Sequence, residues 1–250
     1  MIVTRPQRQA AALSVKLAAI GATPLVWPAI VILPPSDPDA LAHVHDSLAR
    51  YDTAIFVSAN AVEYGVPAPA RWPSTLRVLA PGPGTAEALA AVGLNEVRIP
   101  TTTFDSEGLL ALPELQNVGG TRVLIFRGQG GRELLGATLV ERGARVDYVA
   151  CYRRAAPQSG AEGLIEALRE NRAHALTLTS SEGLDNLLAA LGDERRRLAA
   201  IPAFVPHPRI ADHAREAGLQ AVATSGGDAG LLAGLLEWFG THPIGAHRGS

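Results

Sequence analysis

The sequence predicts an α/β protein made of two similar parallel-sheet domains joined by a two-stranded hinge linker. Three observations carry that prediction. The chain repeats itself once at a fixed spacing; short β-branched runs alternate with helically spaced segments; and two proline-rich stretches interrupt the alternation at equivalent points of the two copies.

The repeat is seen residue by residue. Ile2-Val3-Thr4-Arg5 resembles Leu124-Ile125-Phe126-Arg127, an apolar strand ending in arginine. Leu13, Leu17 and Gly21-Ala22 are matched by Leu135, Leu139 and Gly143-Ala144, at the same offset of 122 that separates Arg5 from Arg127. That offset also carries Ser58 onto Ser180, and Gly108-Leu109-Leu110 onto Gly230-Leu231-Leu232. Val78 to Gly93 aligns without gaps on Ala203 to Gly218, pairing Pro81 with Pro206, Pro83 with Pro208 and Ala86 with Ala211. Matches in this order imply a duplicated α/β unit of about half the chain.

Within each copy, Thr53–Ser58, Leu76–Ala80, Arg122–Arg127, Leu176–Thr179 and Ala203–Pro206 read as strands buried on both faces. Gln7–Ile20 places Leu13, Leu17 and Ile20 on one helical face and stops at Gly21; Arg132–Arg142 repeats the pattern and stops at Gly143. Ala211–Ala217 ends likewise at Gly218. Strand and helix alternating on this scale predict parallel sheets covered by helices on both sides, the flavodoxin-like arrangement. The interruptions lie at Pro28 to Pro38 and at Cys151 to Gly160, around Pro157. Taken as crossings, they divide the chain into a discontinuous first domain (1–30 and 158–242) and a second (38–148). Residues 31–37 and 149–157 are then linkers, and 243–250 a flexible tail. Each domain would borrow one strand and helix from the other repeat, with both connections side by side across one hinge.

Composition sets limits on function. At 250 residues the chain is long for one compact domain and sufficient for two, and 47 % hydrophobic residues supply their cores. Only 18 % are charged and the net charge is −2, which excludes a disordered chain and any general attraction for nucleic acid or anionic membrane. Cys151 is the only cysteine, so neither an internal disulfide nor a multi-thiolate metal site is available. Met1 to Pro6 lacks the pattern of a secretory signal and no apolar run approaches a membrane span, so the expected location is cytoplasmic. Lys16 is the only lysine among many arginines. Arginine suits a bidentate grip on carboxylates; the plainer source is codon bias in an alanine-rich genome.

Ligands of parallel α/β sheets bind beyond the carboxyl ends of strands. Those ends carry Arg5; Ser58, Ala59 and Asn60; Gly82, Gly84 and Thr85; Ser106; Arg127 and Gly128; Ser180 and Ser181; and His207. Small and hydroxyl residues there either cap helices or leave backbone N–H groups open to a carboxylate or phosphate, and the duplication of the set favours the second use. Sharper motifs fail. Gly82-Pro83-Gly84 and Gly128-Gln129-Gly130 begin like a dinucleotide fingerprint, but Glu87 and Glu133 stand in place of its third glycine. His43 and His45 point to different helix faces, and none of the seven histidines has a metal-ligating partner, so neither metal nor coenzyme is expected. Tyr152, between Cys151 and the pair Arg153-Arg154, would face the hinge cleft. Its hydroxyl could protonate a leaving group, or its ring could simply pack at a domain junction.

At this point the chain resembles the uroporphyrinogen-III synthase family from Ile2 to about Phe239. The resemblance rests on Val3-Thr4-Arg5-Pro6, Phe56 to Val62, Gly82 to Leu89, Ser106 to Leu110, Leu124 to Gly131, Tyr152-Arg153, Thr179-Ser180-Ser181 and Pro206 to Gly218. It implies a cofactor-independent lyase that closes hydroxymethylbilane, an octacarboxylate, into uroporphyrinogen III with inversion of ring D and loss of water. The preceding deaminase would hand the substrate over. It also implies a site in the cleft between domains, with Tyr152 matching the tyrosine that assists hydroxyl departure and Thr85 a cleft threonine. The sequence departs from the family at Pro83, which removes an amide donor, and at Ile210, where many members have threonine. A hinged anion-binding module, or a degenerate synthase domain, would share these features without turnover.

Overall fold

The computed structural model describes residues 1–66, 72–158 and 160–243. Apart from Pro243, the tail expected at 243–250 lies outside the described residues. The chain divides into two compact units, Met1–Val31 with Ala155–Ser250, and Ile32–Arg154. In chain order the strands are β1 (Ile2–Val3), β2 (Leu25–Val26), β3 (Val31–Leu33), β4 (Thr53–Phe56), β5 (Arg77–Leu79), β6 (Val97–Arg98), β7 (Arg122–Gly128), β8 (Arg145–Ala155), β9 (Leu176–Thr177), β10 (Pro202–Val205) and β11 (Gln220–Ala223).

The first unit holds a five-stranded sheet in the order β2-β1-β9-β10-β11, parallel throughout. Numbered by their order within the unit, the strands run 2-1-3-4-5, the flavodoxin-like order. The second unit holds six strands, β3-β8-β7-β4-β5-β6, and the five from β8 to β6 pair in parallel. At the repeat spacing β1 corresponds to β7, β2 to β8, β9 to β4 and β10 to β5, so the two sheets share one order. Each takes its first two strands from one copy of the repeat and its next three from the other.

Strand alternation sends successive side chains to opposite faces. In the first unit Ile2, Leu176 and Ala203 pack with Leu164, Leu168, Leu184 and Leu187 on one face. Val3 and Phe204 meet Ala10, Leu13, Leu17 and Leu231 on the other. In the second unit Ala54 and Phe56 join one cluster while Ile55 joins another. All four residues of β4 and of β10 are buried, as a sheet covered on both faces requires. Ile55, Phe56, Phe204 and Val205 each contribute roughly 1.5–3 kcal/mol by this burial.

The duplication also extends to a steric detail. A Cβ on Gly108 would lie 1.7 Å from the Thr103 carbonyl oxygen, and one on Gly230 2.1 Å from that of Ser225. In both copies of the repeat the loop before the last α-helix closes onto a position that only glycine can fill.

The units divide at Val31/Ile32 and Arg154/Ala155, inside the two segments expected as linkers, and part of each segment is a strand of the second sheet: 31–33 as β3, and 149–155 as the continuation of β8. The prolines flank these strands without interrupting them. Pro34 and Pro35 follow β3, and Pro157 stands beyond Ala155.

Candidate active site

In the second unit β4 runs through Val57 into Ser58, whose Oγ accepts from the backbone N–H of Ala61 at 3.2 Å and caps the helix Ala59–Gly65. The same Oγ lies 3.2 Å from the hydroxyl of Tyr152, and either oxygen can donate. Tyr152 is only 2 % exposed, within a cluster that includes Phe126, Val62 and Cys151.

A β-bulge produces this burial. The pairing of β7 with β8 runs regularly to Arg127 opposite Ala150 and then shifts, so that Gly128 opposes Tyr152. Cys151 is the extra residue, and the bulge turns both Cys151 and Tyr152 inward where strict alternation would expose one. Gln129 N–H closes the bulge by donating to the Tyr152 carbonyl at 2.7 Å. The ring fits because position 128 has no side chain: a Cβ there would lie 2.8 Å from two of its carbons. The hydroxyl turns into its own unit toward Ser58, while both arginines are exposed. Burial pushes the Cys151 thiol up to about 12.

The neighbouring strand ends are tightly made. Arg127 donates through Nε to the Gly130 carbonyl at 3.0 Å and through Nη1 to Glu133 at 3.0 Å, with its guanidinium 4.9 Å above the Tyr148 ring. It fastens the Gly128–Glu133 loop. Gly82 precedes the helix Pro83–Ala91; Gly84 is exposed in its first turn and Thr85 is 7 % exposed. Pro83 is the first helical residue, where an N–H has no intrahelical acceptor in any case. Ser106 is also a first helical residue: the cap of Ser106–Ala111 is Asp105, accepting from Gly108 N–H at 2.8 Å. Ala59 is exposed and Asn60 half-buried in the turn after Ser58.

In the first unit Arg5 donates to Asp228, which also takes Lys16 at 2.8 Å. Burial works to raise the Asp228 pKa, but hydrogen bonds from Lys16 and Arg5, with their charges, hold it below the ordinary carboxylate value. Ser180 Oγ accepts from Gly183 N–H at 3.0 Å and caps Ser181–Leu191. His207 Nδ1 accepts from Arg209 N–H at 3.1 Å and caps Pro208–Glu216. Ile210, the repeat partner of Thr85, is 7 % exposed in the core, so this turn offers no hydroxyl there.

The structure thus brings Ser58, Gly128 and Tyr152 into one contact group, whereas Arg5 and Arg127 are committed to Asp228 and Glu133. Asp105 and Asp228 also stand at strand ends in the sequence but were not among the candidate site residues. Asp105 had a local signal, three positions before Gly108; the partners of Asp228 come from a distant part of the sequence. Among the described residues no three His, Cys, Asp or Glu side chains converge as a metal site requires, and no helix is long and apolar enough to cross a membrane. What remains is a pair of hydroxyls at a strand end, beside helices whose first-turn amides can hold carboxylates.

The family model described as Uroporphyrinogen-III synthase HemD matches residues 11–232. The Uroporphyrinogen-III synthase of Salmonella typhimurium is 37 % identical over 230 residues, covering 89 % of this chain and 93 % of that protein. The protein of the same name from Escherichia coli is 35 % identical over 230 residues with the same coverage. A crystal structure of mutant Uroporphyrinogen III Synthase from Thermus thermophilus superposes with a TM-score of 0.61 at 22 % identity, covering 96 % of this chain and 98 % of that one. It shares the fold.

Proposed function

The chain belongs to the uroporphyrinogen-III synthase family, and on that premise we propose that it cyclises hydroxymethylbilane to uroporphyrinogen III with inversion of ring D and loss of water. The observation that carries this reading is the similarity to curated synthases over nearly the whole of both chains.

The reaction asks three things of the protein. It must hold a flexible octacarboxylate in a folded shape; the first turn of Pro83–Ala91 supplies a backbone donor suited to a carboxylate. It must assist departure of the ring A hydroxyl, a role for Tyr152. It must steer the resulting azafulvenium to the substituted carbon of ring D, so that the spiro intermediate fragments and recloses inverted. None of these steps calls for electron transfer or a Lewis acid, so the enzyme works without metal or coenzyme. The linear substrate closes spontaneously without inversion, which favours direct supply by the deaminase that makes it.

The test is incubation with hydroxymethylbilane, followed by oxidation of the products and separation of the type III from the type I isomer. Type III product is expected, undiminished after dialysis against a chelator. Type I alone, at the spontaneous rate, overturns the proposal and leaves a binding or degenerate domain. Chelator-sensitive turnover overturns only its cofactor independence.

A further inference from the structure

We infer that Ser58 is the group that delivers the proton to the departing hydroxyl, and that buried Tyr152 acts through it as the second member of a two-proton relay. This rests on the activity proposed above and assigns the roles within it.

A hydroxyl has one proton and two acceptor positions. Ser58 Oγ already accepts from Ala61 N–H at 3.2 Å, and its other contact is the Tyr152 hydroxyl at 3.2 Å. If Ser58 donated to Tyr152, the phenolic proton would have to find another acceptor inside a residue that is 2 % exposed. If Tyr152 donates to Ser58, both acceptor positions of Ser58 are filled and the serine proton is the one left to point outward. The second arrangement leaves no buried donor unmet. Ser58 is also partly exposed at the carboxyl end of β4, which is where ligands of such sheets sit.

The step balances. The C–O bond of the ring A hydroxymethyl group breaks with its electron pair on oxygen. That oxygen takes the Ser58 proton and leaves as water, while Ser58 takes the proton of Tyr152. The phenolate of Tyr152 then forms as the counter-charge of the azafulvenium cation. When ring D closes, the proton lost from its α-carbon returns through Ser58 to Tyr152. One water is released and the protein is restored.

The test separates the relay from the capping role of Ser58. Asn retains an N-cap oxygen but has no transferable hydroxyl proton, whereas Thr retains both. Ser58→Asn is expected to melt close to the unsubstituted protein and lose roughly 10²–10³-fold in kcat, the range of one positioned acid, with little change in KM. Ser58→Thr should recover most of that loss. Tyr152→Phe should lose a similar factor, and Ser58→Asn combined with Tyr152→Phe should be no worse than the poorer single variant. A proton inventory in mixed light and heavy water should curve for the unsubstituted enzyme and be linear for Tyr152→Phe. Full kcat in Ser58→Asn, or losses that multiply in the double variant, overturns the relay. Absence of type III product from the unsubstituted protein overturns the parent reading instead.

Discussion

Replacing Gly128 by alanine tests the packing that places the tyrosine. The backbone of Gly128 does not lie in the left-handed region, so alanine meets no conformational penalty there. The whole effect falls on the ring: the new methyl would lie 2.8 Å from Cε2 and Cζ of Tyr152 and 3.1 Å from its oxygen. Against an ordinary carbon–carbon contact of ~3.5 Å, the ring must retreat by about 0.7 Å. A shift of that size is enough to take the 3.2 Å contact with Ser58 beyond hydrogen-bonding range. Overpacking of this kind costs roughly 1–3 kcal/mol. The urea midpoint of Gly128→Ala, followed by circular dichroism, should fall accordingly. Turnover should fall by roughly 10²–10³-fold, as for loss of one positioned acid. Gly84→Ala is the control, since a Cβ there meets nothing within 4 Å. If Gly128→Ala keeps both its midpoint and its kcat, the ring is not held as described and the reasoning fails.

Three other outcomes are expected. Gly84→Ala should stabilise by about 0.5–1 kcal/mol through helix propensity; if the exposed first turn lies against a substrate carboxylate, KM will rise while the stability gain remains, and an unchanged KM removes that turn from the site. Asp228→Asn should destabilise by about 1–2 kcal/mol at neutral pH through lost charged hydrogen bonds. Because the folded pKa of Asp228 is depressed, its contribution is present above the unfolded carboxylate pKa and is lost as pH falls through the folded value. The variant's stability should accordingly depend less on pH on the acid side, and parallel curves would refute the pairing with Arg5 and Lys16. Cys151, fully buried with its thiol pushed up to about 12, should resist iodoacetamide at pH 8 until the protein is unfolded; rapid labelling of the folded chain would contradict its burial.

Much of the architecture was legible because it is periodic. A 122-residue offset and an alternation of strands and helices survive in the sequence as patterns, and Gly21 and Gly143 end their helices at φ 83° and 88° as their positions suggested. What was not legible depends on single register events or distant partners. The bulge at Arg127/Gly128 inserts one residue and reverses the facing of Tyr152, and nothing in Cys151-Tyr152-Arg153 announces it. Proline content pointed to 31–37 and 149–157, where the units divide, but not to the strands that run through them: proline disrupts a strand only from within, and here the prolines stand just outside β3 and β8. At Asp105-Ser106 both residues are competent caps, and only the hydrogen bond to Gly108 decides between them. Arg5 looked available for a ligand because its partner Asp228 lies 223 positions away.

The exchange of strands between the repeats gives the two units different histories during synthesis. Ile32–Arg154 is one continuous stretch, and all its contacts are on hand once that stretch has left the ribosome. The other unit begins with β1 and β2, but β1 gains its second neighbour only when Leu176 and Thr177 emerge, and β10 and β11 come later still. Until then β1 presents an unpaired edge, open to pairing with other chains. Cutting the chain between the two copies of the repeat would leave each fragment with the first two strands of one sheet and the remaining strands of the other. A duplicated gene joined in this way no longer encodes two self-sufficient halves, because each half carries part of the other's sheet.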